Sequence, residues 1–145
     1  MLRSLIVLSA LVVLSFADCG FPNGTDSAIH FWQGPGTANA KITSLTTMDM
    51  SGNSEYPIKL HQPLQIKVHL VNNEATGWTG AGFTKSMKLS QYGGAAGCSW
   101  SEVPTFGLLD NQPACESGIP CPLPLGESDI TMEMDFTKFG VSVCF

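Results

Sequence analysis

The chain has 145 residues, with seven Lys and Arg against twelve Asp and Glu and a formal net charge of −5. An acidic chain whose charges are spread without a basic run argues against nucleic acid as a partner and against electrostatic capture by anionic membranes. The length suits one domain and no more.

At the N-terminus, Arg3 supplies a positive charge and an apolar run follows from Leu5 to Phe16. Ser15-Phe16-Ala17 then places small residues at the −3 and −1 positions of a cleavage site. Residues 1–17 are predicted to be a secretory signal peptide. A membrane anchor is the weaker reading, because the run falls well short of the roughly 20 residues that span a bilayer. The mature domain, 18–145, keeps 128 residues, and loss of Arg3 takes the net charge from −5 to −6. Five cysteines in a secreted chain of this size imply disulfides in an oxidising compartment, and the odd count leaves at least one thiol over. Asn23-Gly24-Thr25 is the only N-glycosylation tripeptide, and it sits in a Pro/Gly turn, so Asn23 is the predicted glycan site of a glycoprotein.

Fifteen glycines and nine prolines cut the mature chain into short pieces, and no sustained helical apolar stripe follows residue 17. Residues 40–50 form a Thr-rich strand candidate whose apolar positions fall out of phase, as a bulge would produce. Ile58-Lys59-Leu60 is a shorter strand candidate before the turn at His61-Gln62-Pro63. Leu64, Ile66, Val68 and Leu70 then alternate with Gln65, Lys67 and His69. Phe83, Met87 and Leu89 share a face interrupted by Lys85, opposite Thr84, Ser86 and Lys88. Ile130, Met132, Met134 and Phe136 alternate with Thr131, Glu133 and Asp135. Strands with one apolar and one polar face belong to antiparallel sheets covered on one side, and two such sheets face to face make a sandwich.

No catalytic constellation emerges, and the expectation is a protein that is not an enzyme. His30, His61 and His69 read as exposed side chains rather than a metal or base cluster; His69 lies on the polar face of its strand. A Cys98–His nucleophile pair has no supporting motif. Trp32 and Trp100 read as core or rim, and Trp78 as a loop-tip residue whose role is structural before it is a membrane contact. The apolar strand faces fit a filled core or a lined cavity equally well, and methionines suit either.

Cys115-Glu116-Ser117-Gly118-Ile119-Pro120-Cys121 is a cysteine-closed loop followed by Pro122-Leu123. Cysteines so close rigidify a local turn, and Gly118, Pro120 and Pro122 suit one. Together with Asp18-Cys19-Gly20, this C-x5-C-P-L element resembles the ML lipid-recognition family, which includes Niemann–Pick type C2-like sterol carriers, the ganglioside activator and mite group 2 allergens. Tyr56-Pro57-Ile58-Lys59-Leu60, then 64–70, resembles that family's second and third strands. Residues 102–108 resemble the loop leading into the C-x5-C element, and the setting of Cys98 resembles the ganglioside activator. Only 22 residues separate Cys121 from Cys144, so the chain looks like a variant shortened at the C-terminus, with room for two further strands rather than three.

The resemblance implies an immunoglobulin-like two-sheet β-sandwich that holds a lipid, with no cofactor, metal or catalytic residue. It implies a Cys115–Cys121 bridge and a Cys19–Cys144 bridge, leaving Cys98 free or paired between chains. It places Phe106 at the lipid pocket, beside the inward residues Leu64, Ile66, Val68, Leu70, Met132, Met134 and Phe136. The expected ligand is a sterol, phospholipid or glycolipid, carried with transient membrane contact or passed to a protein acceptor, outside the cell or in the endolysosomal lumen. The alternative is a secreted recognition protein, innate-immune or allergen-like, acting through a protein partner. A third possibility is a shortened product with little function.

Overall fold

The computed structural model describes residues 19–34, 39–73, 82–94 and 97–139. The predicted signal peptide, Trp78 and Cys144 lie outside the described residues. Among the described residues the strands, in chain order, are β1 (Ala40–Met48), β2 (Leu64–Asn72), β3 (Thr84–Lys85), β4 (Ser90–Tyr92), β5 (Trp100–Glu102), β6 (Gln112–Pro113) and β7 (Gly126–Met134). All pairings between them are antiparallel. The protein is all-β, and no helix among the described residues is long and apolar enough to cross a membrane.

The central layer is a three-stranded sheet in the order β1-β2-β7. Strand β2 lies in the middle, and its inward positions, Leu64, Ile66, Val68 and Leu70, are all apolar and buried, with β-branched Ile66 and Val68 at the centre suited to a pleated surface. Opposite them on β7 stand Met134, Met132, Ile130 and Ser128. Strand β1 completes the face with Thr47, Leu45 and Ile42 opposite Ile66, Val68 and Leu70. Its sequence looks out of phase because the register shifts between Ile42 and Ser44. The extra residue, Thr43, flips the parity, so Ile42 and Leu45 both reach the inward side. The other face of the sheet is polar: Asp129 pairs with His69 at 2.6 Å and with Lys67 at 3.4 Å.

A second layer lies against the inward face. Residues 83–93 run extended, and their partners fold back along them. Strand β4 pairs with β5, and β3 pairs with β6. Hydrogen bonds outside the named strands extend both ladders: Ala114 N donates to Phe83 O (3.0 Å), Met87 N to Leu109 O (3.0 Å), Val103 N to Leu89 O (2.9 Å) and Gly93 N to Ser99 O (3.0 Å). The residues used on the outgoing segment are all odd-numbered, so one edge serves the whole returning segment. The result is one long, interrupted hairpin that presents Met87 and Leu89 to the central sheet. The architecture is sandwich-like, with the core between the two layers.

Two expectations need correction. Ile58-Lys59-Leu60 is not a strand; it is a turn region in which Gln62 N donates to Lys59 O at 3.4 Å. Pro57 and Pro63 bracket it and lack ladder donors, and Ile58 and Leu60 reach the core from the turn itself. The predicted Cys19–Cys144 bridge is replaced by Cys19–Cys98, with Cα atoms 5.3 Å apart. Cys98 is therefore not the free thiol. The N-terminal segment docks on the β4–β5 hairpin, where Gly93 lies beside Cys19, and Trp32 packs edge-on against Trp100 at 5.5 Å. Tyr92 packs on the same indole at 5.3 Å, and His30 joins at 6.5 Å. That aromatic group brings Cys19 within bonding reach of the hairpin turn. The local Cys115–Cys121 bridge is present, with a Cα separation of 5.4 Å.

Candidate functional site

The inward residues named from the alternation come together. Leu64, Ile66, Val68, Leu70, Met132, Met134 and Phe136 are all buried in one cluster. Phe136 lies past the end of β7, at the start of a 3-10 turn (Phe136–Phe139), yet it keeps the parity of Met132 and Met134. Ile130 of β7, which belongs to the same alternation, joins them, and two residues that the alternation did not single out complete the cluster: Leu109 and Leu123 from the loops. Leu109 and Leu123 lack a periodic neighbourhood, so no strand pattern could mark them. Seven apolar side chains at inward positions give an interior that is two layers deep and soft at the β7 side, where Met132 and Met134 supply flexible thioether chains.

The Cys115–Cys121 loop closes one side of this interior. Its backbone is tied to Pro113 and Ala114: Glu116 N donates to Pro113 O (3.2 Å), and Ser117 N and Ile119 N both donate to Ala114 O (3.2 and 3.1 Å). Ala114 is wholly buried beneath the loop. Gly118 has φ 96°, and a Cβ there would stand 3.2 Å from Met132 Cγ and 3.3 Å from Met132 Cα. The loop therefore rests directly on β7, and only glycine allows that approach. Beyond the loop, buried Asn72 at the end of β2 donates to Leu123 O (3.4 Å) and Pro124 O (3.1 Å), fixing the chain as it enters β7.

Lys85 enters the same region from the other layer. It shares the parity of Phe83, Met87 and Leu89, so its stem runs inward rather than into water. Its Nζ donates to Ser117 O in the disulfide loop and lies 3.6 Å from Met132 Sδ. Burial pulls the ammonium below its usual lysine value. Among the described residues no ion pair joins Lys85 to a carboxylate. The signal for this residue was present in the sequence as a charge on an apolar parity, but it read as an interruption.

Phe106 does not line the interior. Its side chain is 80% exposed. The reason is the interruption in the hairpin: across 104–108 the register between the two segments slips, and the extra residues are extruded as a turn. Leu108 N donates to Thr105 O (3.0 Å) and Asp110 N to Gly107 O (3.1 Å), while Phe106 takes a left-handed φ of 52°. Leu108, on the same excursion, is also exposed. Asn23 is exposed as well, with φ 56°, and Thr25 Oγ1 donates to Pro22 O at 2.7 Å beneath it. The predicted glycan site is thus on the surface. His61 is exposed, and His30 belongs to the aromatic group on the hairpin.

Compared with known proteins, the chain matches no family model, no curated protein and no solved structure. Any functional reading therefore rests on the residues themselves.

Proposed function

We propose that this is a secreted, non-enzymatic lipid-binding and lipid-transfer protein, an ML-type immunoglobulin-like sandwich that holds a lipid between its two layers. The observation that carries the reading is the continuous apolar inward face of β2 and β7, opposed by Met87, Leu89 and Leu109 and bordered by the disulfide loop. Separation of the layers beside that loop would admit an acyl chain or sterol body among side chains that adapt their shape. Transfer from water is favoured by roughly 25 cal/mol per Å² of apolar area buried. The polar head would stay at the loop end. Two disulfides fit an oxidising lumen or the extracellular space.

Phe106 and Leu108 take a different part in this reading from the one the resemblance implied. Exposed apolar side chains at the tip of a turn suit brief contact with a membrane or with a protein acceptor. The same pair favours the second reading, a secreted recognition protein with a protein partner.

The test is to produce the chain through a secretory pathway, extract it with organic solvent and identify lipids by mass spectrometry. A stoichiometric lipid, and rebinding after delipidation, supports lipid carriage. No extracted lipid and no saturable binding of fatty acid, sterol or phospholipid would leave the recognition reading in its place.

A further inference from the structure

We infer that Lys85 is the headgroup anchor of the interior, and that the ligand it selects is a long-chain fatty acid, held by its carboxylate at the Cys115–Cys121 loop. The inference rests on the lipid-binding reading and narrows it to one chemical class.

An ammonium has three donors and no acceptor. Lys85 Nζ faces a neutral backbone carbonyl, Ser117 O, and a thioether, Met132 Sδ, at 3.6 Å. Both are uncharged, and sulfur is a weak acceptor. A half-buried cation so placed is under-compensated, which its lowered affinity for a proton reflects. An anion brought to Nζ would supply the charge-assisted hydrogen bond that the protein does not.

The position also decides which anion. Lys85 stands on the inward parity, and Met87 and Leu89 follow it along the same face, with Met132 across the layer. A chain laid among these residues begins at Nζ, so the ligand needs its charge at the terminus of an unbranched apolar tail. One cation matches one negative charge, as a carboxylate carries. The loop lies so close above Met132 that a Cβ added at Gly118 would stand 3.2 Å from Met132 Cγ. That contact suits a compact head better than a bulky phosphate ester. A sterol offers a hydroxyl and no charge, and would leave the ammonium as it is.

The experiment uses the delipidated secreted chain with [1-13C]palmitic acid, methyl palmitate, cholesterol and lysophosphatidic acid as probes. Palmitate should bind about tenfold or more tightly than its methyl ester. Lys85→Met should remove that difference while keeping ester binding, and Lys85→Arg should preserve it. The 13C carboxyl resonance of bound palmitate should titrate at a higher pH in Lys85→Met than in the parent chain. Equal binding of acid and ester by the parent chain, or an unchanged difference in Lys85→Met, overturns the anchor while leaving lipid carriage intact. Tighter binding of lysophosphatidic acid than of palmitate overturns the carboxylate assignment. Binding of none of the four probes overturns lipid carriage itself and the anchor with it. The comparison of acid with ester in the parent chain decides the matter even if a variant fails to fold.

Discussion

Phe106 and Gly118 occupy successive excursions of the chain, one interrupting the returning segment of the hairpin and one following it, and their backbones explain opposite sensitivities to substitution. Phe106 is exposed, so Phe106→Ala removes little packing; its effect on unfolding free energy in urea should stay within about 0.5 kcal/mol. A buried phenylalanine would cost about 3–5 kcal/mol, so the two positions are easily told apart. If the excursion touches membranes, the same variant should slow lipid transfer to vesicles without changing affinity in solution. Gly118 is the reverse case. Gly118→Ala meets both a left-handed φ of 96° and the Met132 contacts at 3.2–3.3 Å. The expected loss is about 2 kcal/mol in chemical denaturation, from conformational strain and overpacking together. A neutral Gly118→Ala would mean that the loop lifts freely from β7.

At the scale of elements, the two disulfides differ in what they constrain. Cys115–Cys121 closes a loop with a sequence separation of 6, whereas Cys19–Cys98 spans 79 residues. Loop-closure entropy assigns about 2 kcal/mol to the first and about 4.5 kcal/mol to the second. Replacing Cys19 and Cys98 by Ser should therefore lower the urea midpoint more than replacing Cys115 and Cys121. Non-reducing peptide mapping should recover the Cys19 peptide joined to the Cys98 peptide; recovery with the Cys144 peptide would remove the argument for N-terminal docking on the hairpin. Strands β2 and β7 were legible in the sequence because their alternation is uninterrupted over 64–70 and 130–136. Strand β1 was legible only as a bulged candidate, since Thr43 breaks its parity. The outgoing hairpin segment was visible in Phe83, Met87 and Leu89. Its partners were not, because they are two- and three-residue pieces separated by the 104–108 turn. Ile58-Lys59-Leu60 misled because an apolar pair can reach a core from a turn. The partner of Cys19 was not legible at all: spacing limits which cysteines can pair but does not choose among them.

For the whole molecule, the two faces of the central sheet divide the labour, and the polar face governs the response to acid. The inward residues of the candidate site could be read from period-2 alternation, and Lys85 showed as a charge on an apolar parity, but its partners and the place of Leu109 depend on how the second layer is laid across the first, which no local pattern encodes. On the polar face, the Asp129 carboxyl is held below its usual value of 3.8 chiefly by the hydrogen bond with His69, with Lys67 adding to it. In the turn after β1, Asp49 is held below 3.8 chiefly by the Asn53 side chain, then by backbone donors including Ser51. Both carboxyls have a depressed folded-state value, so the unfolded chain takes up protons first as the pH falls. Their stabilisation is complete above 3.8 and disappears as the pH drops through the lower folded-state values. Asp129 is solvent-exposed, so added salt should weaken its pairing with Lys67 and His69. Thermal midpoints measured from about pH 6 down to about pH 2 should fall in the acid limb, and Asp49→Asn with Asp129→Asn together should flatten that limb. Above the acid limb the double variant should have the lower midpoint, because Asn cannot form the charged contacts. Parallel curves for the parent chain and the double variant would show that neither carboxyl is preferentially ionised by the fold. The apolar cluster from Leu64 to Phe136 carries no carboxyl of its own. Acid should therefore loosen the outer face and the β1 turn while the layers between which a lipid would lie keep their contacts.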